Sequence, residues 1–491
     1  MAAGGQGMGS ALKRVTTGVE GLDKVLGGGL FESGLYIVQG ATGTGKTILA
    51  NQICFHQARL GRRAVYVTLL GESHDRMLQH LASLEFTDLS LLPDRVLYLS
   101  GANALDDAGL GGLLALIRDA LHRSQPSLLV LDGLYVAQEH GGSGLEFRRF
   151  VYELQGEASL HGCTMIFLTN VPTPAFSPEQ TMADGLIELD DQLVAARAVR
   201  SLHVRKLRGG PFLRGRHMFR IRERGIVVFP RLETLVAAEA PENAASHRKL
   251  GTGVDGLDRM LAGGVPAAST TLVAGPSGSG KTTLGLLFLA RSTPEAPGLF
   301  FGCYESPGEV KVKAEAIGID IDRLLQSGAL RLVWQPPFES FPDEMGHRLL
   351  DEVRGLGARR VLIDGSGAFK QTVVFAGWLN AFFTALSIQL RAEGVTTFCT
   401  AETHESFAAE HLVLDEISAV AENVVLLRFA EHRSRLLRLL SIIKVRQSGF
   451  DAAIVPFEIG SSGITLQESL ADTEALVSES AHRIGDADRA D

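Results

Sequence analysis

Two eight-residue stretches of this chain carry glycines, a lysine and a threonine at a spacing that can bind phosphate. The first runs from Gly40 to Thr47 and the second from Gly275 to Thr282. Glycines let successive backbone N–H groups turn toward phosphate oxygens, and the helix that follows presents its positive end to the same anion. Each stretch therefore predicts a nucleotide-binding loop.

The predicted nucleotide contacts are the glycine, hydroxyl and lysine positions of these loops. They are Gly40, Thr42, Gly43, Thr44, Gly45, Lys46 and Thr47 in the first loop, and Gly275, Ser277, Gly278, Ser279, Gly280, Lys281 and Thr282 in the second. Lys46 and Lys281 are also predicted to be catalytic, since each would reach the β- and γ-phosphates of a nucleoside triphosphate.

An aspartate ends a further apolar stretch in each half of the chain, at Asp132 and at Asp364. A carboxylate at the carboxyl end of a buried parallel strand lies beside the phosphate loop, where it can hold Mg²⁺ and its water shell. Thr47 and Asp132, and likewise Thr282 and Asp364, are therefore the predicted magnesium ligands. The alternative is that each aspartate only caps the turn that follows it.

One glutamate in each half follows another apolar stretch between the loop and the aspartate. Glu72 and Glu305 would each lie next to the phosphate loop, where a carboxylate can orient a water or hydroxyl for attack on the γ-phosphate. We interpret both as catalytic. The alternative is that each is an acidic residue at the start of a helix, which the helix dipole would also favour.

The segments around these residues are typical of alternating strands and helices. Residues 34–39 and 270–274 are apolar stretches that precede the two loops, and residues 48–53 read as the helix after the first. Apolar stretches such as 165–168 alternate with helical ones such as 112–121. This pattern predicts an α/β fold in which a mainly parallel sheet is covered by helices.

The whole arrangement occurs twice, because residues 13–47 and 248–282 are two copies of one pattern in which Gly18 corresponds to Gly253 and Lys46 to Lys281. A repeat that restarts near the midpoint indicates two large domains. The predicted organisation is a disordered N-terminus at 1–12, a first ATPase domain at 13–235, a linker at 236–246, a second ATPase domain at 247–465 and an acidic, flexible tail at 466–491.

Composition narrows the function classes. The chain has 491 residues, of which 45% are hydrophobic and 21% charged, and a net charge of -9, which argues against a strongly basic nucleic-acid-binding face. Its four cysteines lie singly, so their spacing indicates neither a zinc site nor a disulfide framework. No apolar run is long enough for a membrane span, and the N-terminus has no apolar segment of the kind that a signal peptide contains, so we expect a cytoplasmic protein without a membrane partner.

Together with the openings Thr-Gly-Val-Glu-Gly-Leu-Asp at 17–23 and Thr-Gly-Val-Asp-Gly-Leu-Asp at 252–258, these motifs make residues 13 to 465 resemble the KaiC family. That family consists of double-domain RecA-like ATPases of the cyanobacterial circadian clock. The resemblance implies a hexameric double ring with ATP between neighbouring protomers, slow ATPase activity in the first ring and autophosphorylation in the second. The choice of ATP with Mg²⁺, and of adenine over guanine, rests on the resemblance.

Family members carry a Lys-x-Arg motif on a late strand of each domain. Lys206 and Arg208 match it in the first half of this chain, and Lys444 and Arg446 match it in the second. The resemblance implies that these cations complete the site of a neighbouring protomer, where an arginine supplied in trans stabilises the charge of phosphoryl transfer. The alternative is a solvated basic edge strand.

The sequence departs from the family pattern at the phosphorylated segment. The family has adjacent serine and threonine acceptors there, whereas this chain has Ser418 followed by Ala419. Ser418 remains a candidate phosphoacceptor, but alanine has no nucleophile, so a two-site phosphorylation cycle cannot run in this chain.

A second departure concerns the catalytic glutamates, which are adjacent pairs in the family. Gly71 precedes Glu72 and Tyr304 precedes Glu305, so each half has one carboxylate where the family has an adjacent pair. If the missing group is the base for the serine hydroxyl, autophosphorylation would be slowed by roughly 10²–10⁴-fold. We therefore expect hydrolysis to survive better than serine autokinase activity.

Three hypotheses follow. The first is a KaiC-like signalling ATPase in a double ring, with an unidentified regulatory protein as its partner. The second is a DNA-dependent ATPase of the RecA and RadA type, and the third is a nucleotide-binding scaffold with little turnover. Tandem fused domains suit a closed ring better than an open filament, and the acidic balance disfavours nucleic acid. We adopt the first.

Overall fold

The computed structural model describes residues 13–69, 74–141, 144–170, 178–194, 196–236, 248–373, 377–403, 420–432, 434–446 and 448–467. The chain divides into two compact units, with the division between Thr234 and Leu235. The predicted disordered N-terminus, and nearly all of the predicted linker and acidic tail, lie outside the described residues.

The first unit opens with the short strand β1 and contains one large sheet flanked by helices. Its helices are α1 Leu22–Val25, α2 Lys46–Arg59, α3 His74–Leu81, α4 Ala102–Ser124, α5 Leu134–His140, α6 Gly144–Leu160 and α7 Pro178–Met182. Its strands are β1 Arg14–Val15, β2 Leu30–Phe31, β3 Leu35–Gln39, β4 Ala64–Thr68, β5 Val96–Ser100, β6 Leu128–Asp132, β7 Thr164–Thr169, β8 Gly185–Val194, β9 Arg197–Leu207, β10 Arg216–Arg222 and β11 Gly225–Phe229.

The large sheet of the first unit has nine strands in the order β11-β10-β9-β8-β3-β7-β6-β4-β5. The strands from β8 to β5 are parallel, and β9, β10 and β11 extend the sheet as antiparallel strands. Every residue of β3, β4 and β6 is buried, because helices cover both faces of a parallel sheet. The carboxyl ends of these strands therefore meet at one edge.

The second unit repeats this plan. Its helices are α8 Asp255–Met260, α9 Lys281–Leu289, α10 Pro307–Ala316, α11 Ile321–Gln326, α12 Pro342–Leu356, α13 Gly367–Thr372 and α14 Trp378–Ala392. Its strands are β12 Lys249–Leu250, β13 Val265–Pro266, β14 Thr270–Gly275, β15 Gly298–Gly302, β16 Leu330–Trp334, β17 Arg360–Asp364, β18 Thr396–Glu402, β19 Asn423–His432, β20 Arg435–Val445, β21 Val455–Gly460 and β22 Gly463–Leu466.

The nine-stranded sheet of the second unit has the order β16-β15-β17-β18-β14-β19-β20-β21-β22, with its strands parallel from β16 to β19 and antiparallel beyond. The predicted fold class is therefore confirmed: two tandem RecA-like α/β domains, each a mainly parallel sheet covered by helices. The three antiparallel strands at one side of each sheet were not predicted individually.

The repeated opening motif has a structural role in both units. The Asp23 carboxylate accepts hydrogen bonds from the Thr17 backbone N–H at 2.9 Å and from its hydroxyl at 2.7 Å, and Asp258 accepts from the Thr252 N–H at 2.7 Å. This bond fixes the turn that leads into the first helix of each unit. Among the described residues, no helix is both long and apolar enough to cross a membrane.

Candidate nucleotide-binding sites

The first glycine-rich loop joins the end of β3 to the start of α2, as the sequence predicts. Gly43 and Gly45 have φ of 86° and 102°, a region that glycine adopts without the clash of a Cβ. At Gly40 a Cβ would lie 2.4 Å from the Leu189 carbonyl oxygen, so the loop can leave the sheet here only as glycine. Gly45 is the N-cap of α2, whose free N–H groups point into the loop.

Lys46 curls back over this loop. Its Nζ donates to the Gly40 carbonyl at 2.6 Å, to the Ala41 carbonyl at 2.9 Å and to Asn170 Oδ1 at 3.5 Å. Burial lowers the pKa of Lys46, and the Asp132 carboxylate opposes that shift. A cavity of about 360 Å³ lies beside Lys46 and extends to Asp132 and Asn170. The ammonium group thus lies where phosphate oxygens would enter.

Thr47 and Asp132 are brought together, as predicted. The Thr47 hydroxyl donates to Asp132 Oδ2 at 3.2 Å, and the buried Tyr66 hydroxyl donates to the same oxygen at 2.6 Å. Burial raises the pKa of the Tyr66 phenol, and the Asp132 carboxylate raises it further. The phenol therefore stays protonated and remains a hydrogen-bond donor. A hydroxyl and a carboxylate are hard oxygen ligands of the kind that Mg²⁺ prefers, so this donor set fits the cation.

The second loop has the same geometry between β14 and α9. Gly278 and Gly280 have φ of 75° and 104°, and Gly280 is the N-cap of α9. Lys281 Nζ donates to the carbonyls of Gly275 at 2.8 Å and Pro276 at 2.7 Å. Burial lowers the pKa of Lys281, against the opposing charges of Glu402 and Asp364.

The predicted pair of Thr282 and Asp364 is also in contact. The Thr282 hydroxyl lies 3.2 and 3.1 Å from the two carboxylate oxygens of Asp364, and the Thr400 hydroxyl donates to Oδ1 at 2.6 Å. Burial raises the pKa of Asp364, and the neighbouring Glu305 carboxylate adds to this effect, whereas the threonine hydrogen bonds oppose it. This donor set also fits Mg²⁺.

The aspartates of the two units are held from opposite sides. In the first unit the hydroxyl comes from Tyr66 on β4, and the strand on the other side of Asp132 carries Leu168. In the second unit it comes from Thr400 on β18, whereas the position on β15 that matches Tyr66 is Phe300. The polar neighbour and the apolar neighbour of the aspartate thus lie on opposite sides in the two sites.

Glu305 lies near Asp364, close enough for its charge to raise the pKa of Asp364. Its Oε1 accepts a hydrogen bond and ion pair from Lys313 on α10, and its Oε2 is buried without a hydrogen-bond partner among the described residues. Tyr304, which precedes it, packs against Gly365 and is 52% exposed. Burial raises the pKa of the Tyr304 phenol, so it carries no base at this position.

Two predicted site residues lie outside the described part of the chain. They are Glu72, with the preceding Gly71, and the candidate phosphoacceptor Ser418, with the following Ala419. Their roles stay predictions.

The predicted trans-acting cations lie where the parallel strands of each sheet begin. The loop of the same unit lies at the opposite end of these strands. Arg208 N–H donates to the Asp184 carbonyl, and Asp184 N–H donates to the Leu35 carbonyl at the start of β3. The start of β3 is about 16 Å from Gly40 at a rise of about 3.3 Å per residue. Lys206 Nζ caps the carbonyls of residues 180 and 181 at 3.0 and 3.1 Å.

The second unit repeats this placement. Arg446 N–H donates to the Glu422 carbonyl, and Glu422 N–H donates to the carbonyl of Thr270, where β14 begins. Lys444 Nζ donates to the Ala421 carbonyl at 2.7 Å. Arg208 and Arg446 are both exposed. These cations therefore cannot reach phosphates bound by their own unit.

Several polar residues at the loops were missed by sequence reasoning. Asn170 contacts Lys46, Glu402 faces Lys281, and Arg438 Nε donates to the Gly278 carbonyl at 3.4 Å. Tyr66 and Thr400 hold the aspartates. Asn170 and Glu402 do follow or end apolar strands, which is a usable signal, whereas Tyr66, Thr400 and Arg438 lie within strands and carry none.

The similarity of this chain to known proteins extends over both of its units. The profile of the family described as "ATPase: KaiC" matches residues 15–233 and again residues 250–471. The chain is 25% identical to the circadian clock oscillator protein KaiC of Rippkaea orientalis over 486 residues, which covers 96% of this chain and 92% of that protein.

Two further relatives align over the same length. The KaiC protein of Picosynechococcus sp. is 25% identical over 96% of this chain and 93% of its own length. KaiC 1 of Synechocystis sp. is 24% identical over 96% of this chain and 92% of its own length. The similarity thus covers both units, not one loop.

Proposed function

Because this chain belongs to the KaiC family of ATPases, we propose that both of its units bind ATP with Mg²⁺ and hydrolyse the γ-phosphate. The observation that carries this proposal is the repeated contact between loop threonine and strand-end aspartate, at 3.2 Å between Thr47 and Asp132 and at 3.1 Å between Thr282 and Asp364. Each contact lies beside a lysine that caps its own loop.

In each unit, the glycine-rich loop and the first turn of the following helix would hold the phosphates through backbone N–H groups. Lys46 and Lys281 would leave the loop carbonyls to bind β- and γ-oxygens, where their positive charge is stabilised by the nearby aspartates. The threonine and aspartate would hold Mg²⁺, which supplies neutralisation of the developing phosphate charge.

Glu305 is the best-supported group for orienting the attacking water in the second unit. Its buried Oε2 is an acceptor without a partner among the described residues, next to Asp364. The contact of Oε1 with Lys313 would hold the carboxylate in place and leave Oε2 to accept a hydrogen bond from that water. Glu72 has the corresponding role in the first unit.

We also propose that the protein is a homo-oligomer, a hexameric double ring, with ATP between protomers. Support comes from the two cationic pairs that lie about 16 Å along the sheet from their own loops. Cations in these positions can stabilise phosphoryl transfer only in the site of a neighbour. Hydrolysis would then depend on assembly.

The output would be a change of ring shape with nucleotide state, read by an unidentified regulatory protein. Ser418 is the candidate site of autophosphorylation in the second unit. With Tyr304 in place of a carboxylate beside Glu305, we expect this reaction to be much slower than hydrolysis.

Phosphate release from Mg·ATP tests the proposal in Lys46→Ala, in Lys281→Ala and in the double variant. Each single change should remove the contribution of one unit, and the double variant should release no phosphate above background. Lys24→Ala and Lys311→Ala replace an exposed and a half-buried lysine away from the loops and should be as active as the parent protein. Unchanged release in the double variant would sink the ATPase proposal in favour of a scaffold.

A further inference from the structure

Helices α4 and α6 end side by side on the first unit, away from the glycine-rich loop. Helix α4 leads into β6 and α6 leads into β7, and these strands are parallel neighbours, with Leu128 opposite Thr164. The two connections are joined by a hydrogen bond of 2.9 Å from the Thr164 N–H to the Ser127 carbonyl. Both helix C-termini therefore lie at the edge where the parallel strands begin.

Three metal-ligating side chains meet at these helix ends. His122 is in the last turn of α4, Glu157 is in the last turn of α6, and His161 follows α6 directly. One ligand atom from each residue lies within 4.8 Å of the other two. The imidazole rings of His122 and His161 are 4.8 Å apart and meet edge to face at 88°.

The positions fit a metal site better than a chance surface cluster. Glu157 and His161 are four residues apart, so a helical turn places them on one face. Two helix C-termini converge there, and the partial negative charge of both favours a cation. Two imidazole nitrogens and one carboxylate oxygen are the ligand set of an open zinc site, whose fourth position is taken by water.

We propose that His122, Glu157 and His161 form a binding site for a divalent transition metal, with Zn²⁺ as the ion, that ties the end of α4 to the end of α6. Ligand atoms around tetrahedral zinc are about 3.3 Å apart, from Zn–N distances of about 2.05 Å. His122 is exposed and the other two residues are half-buried, so side-chain rotation can close the remaining gap.

Arg118 is the competitor for this site. Its Nε donates to Glu157 Oε1 at 2.7 Å, and the arginine side chain is 44% exposed. An ion pair this exposed contributes little to stability, so zinc can displace it. We therefore expect removal of the Arg118 guanidinium to leave zinc affinity unchanged or to increase it. If the cluster only stabilised the fold, the same change would instead lower the stability of the first unit.

The test is zinc titration of the full chain without an affinity tag, by competition with a fluorescent chelator. Excess Mg²⁺ and the absence of nucleotide keep zinc away from the aspartates of the phosphate loops. We expect His122→Ala and His161→Ala each to weaken zinc binding at this site at least tenfold, and Glu157→Gln to weaken it to a smaller extent. Arg118→Ala should bind at least as tightly as the parent protein.

His140→Ala is the matched control, because His140 is also an exposed histidine beside an acid, 3.3 Å from Asp106, outside the cluster. It should bind zinc as the parent does. Zinc should also raise the unfolding temperature of the first unit in the parent and in His140→Ala, but not in His122→Ala. Zinc binding that is equal in the parent, His122→Ala and His161→Ala, or undetectable in the parent, would overturn the proposal.

Discussion

Asp364 is an acid whose environment opposes its ionisation. The residue is 8% exposed, and burial together with the Glu305 carboxylate raises its pKa, while hydrogen bonds from Thr400 and Thr282 limit the shift. A group with a raised folded pKa favours the folded state at pH below its ordinary pKa, and this contribution is lost as the pH rises through the folded pKa. At neutral pH the charge therefore opposes folding when Mg²⁺ is absent.

Asp364→Asn should accordingly have two opposite effects. Without nucleotide at neutral pH, the variant should unfold at the same temperature as the parent or higher, and this difference should vanish in acid. It should lose the stabilisation that Mg·ATP gives the second unit, which is about 2.7 kcal/mol at a ligand concentration 100 times Kd. Thermal unfolding in a Lys46→Ala background, with and without Mg·ATP, measures both.

The matched control is Asp351→Asn, which removes an exposed carboxylate of α12 in the same unit. It should leave both the unfolding temperature and the response to Mg·ATP unchanged. A full Mg·ATP response in Asp364→Asn would contradict the assignment of this residue as a magnesium ligand.

Individual site residues were predictable where their chemistry is local in sequence. Lys46 and Thr47 lie within one loop motif, and Asp132 was found because an acid ends an apolar strand. Tyr66 and Thr400 could not be found in this way, since each reaches its aspartate from a different strand. Their role depends on which strands are neighbours, and strand order comes from contacts between distant residues.

At the scale of elements, the turn from β14 into α9 depends on two glycines for different reasons. A Cβ on Gly275 would lie 2.6 Å from the Leu427 carbonyl oxygen of β19, which is backbone that cannot rotate away. A Cβ on Gly278 would meet no atom within 4 Å, and only its φ of 75° disfavours another residue. One glycine is needed for space and the other for backbone conformation.

We therefore expect Gly275→Ala to destabilise the second unit more than Gly278→Ala. The φ of Gly278 accounts for about 1–2 kcal/mol, whereas Gly275→Ala must displace β14 from β19. The unfolding temperatures of the two variants provide the comparison, and Gly355→Ala, on the open surface of α12, is the control. Equal destabilisation by the two loop variants would mean that the contact with β19 is not what requires Gly275.

Elements close to a motif were predicted well and those far from one were not. Strand β17 ends at Asp364, as predicted, and the strand before the first loop starts at Leu35, one residue later than predicted. The antiparallel strands β9 to β11 and β20 to β22 were not resolved from sequence. Parallel and antiparallel strands differ in pairing, not in local composition, so only the folded sheet distinguishes them.

At the scale of the whole molecule, the position of Arg208 makes a prediction about assembly. Two variants are prepared in a Lys281→Ala background: one adds Lys46→Ala and keeps the arginine, and the other adds Arg208→Ala and keeps the loop. Each alone should be inactive. Mixed equally without nucleotide and then given Mg·ATP, random assembly completes about a quarter of the interfaces in a closed ring, so phosphate release should return.

The control mixture replaces the first variant by one that lacks both Lys46 and Arg208, and it should stay inactive. If the first mixture also stays inactive although subunits have exchanged, Arg208 does not act in the site of a neighbour.

The proposed phosphorylation of Ser418 is tested independently of assembly. Intact mass after incubation with Mg·ATP should show at most a slow single phosphate adduct, because Ala419 offers no second acceptor and Tyr304 no second carboxylate. The adduct should map to Ser418 and be missing in Lys281→Ala. A rapid adduct, or one that persists in Lys281→Ala, would contradict this expectation.

The exchanged neighbours of the two aspartates bear on the history of the chain. If both halves descend from one ancestral domain, the hydroxyl that holds the acid has moved from one flanking strand to the other in one lineage. That change passes through an ancestor with both hydroxyls or with neither, so at least one half once functioned with a differently held acid. The halves are consequently no longer interchangeable parts. A chimera that grafts β6 and β7 of the first unit beside β15 of the second would place the transplanted Asp132 opposite Leu168 on β7 and opposite Gly302 on β15, where Phe300 occupies the position of Tyr66. The hydroxyls of Tyr66 and Thr400 would then both be missing.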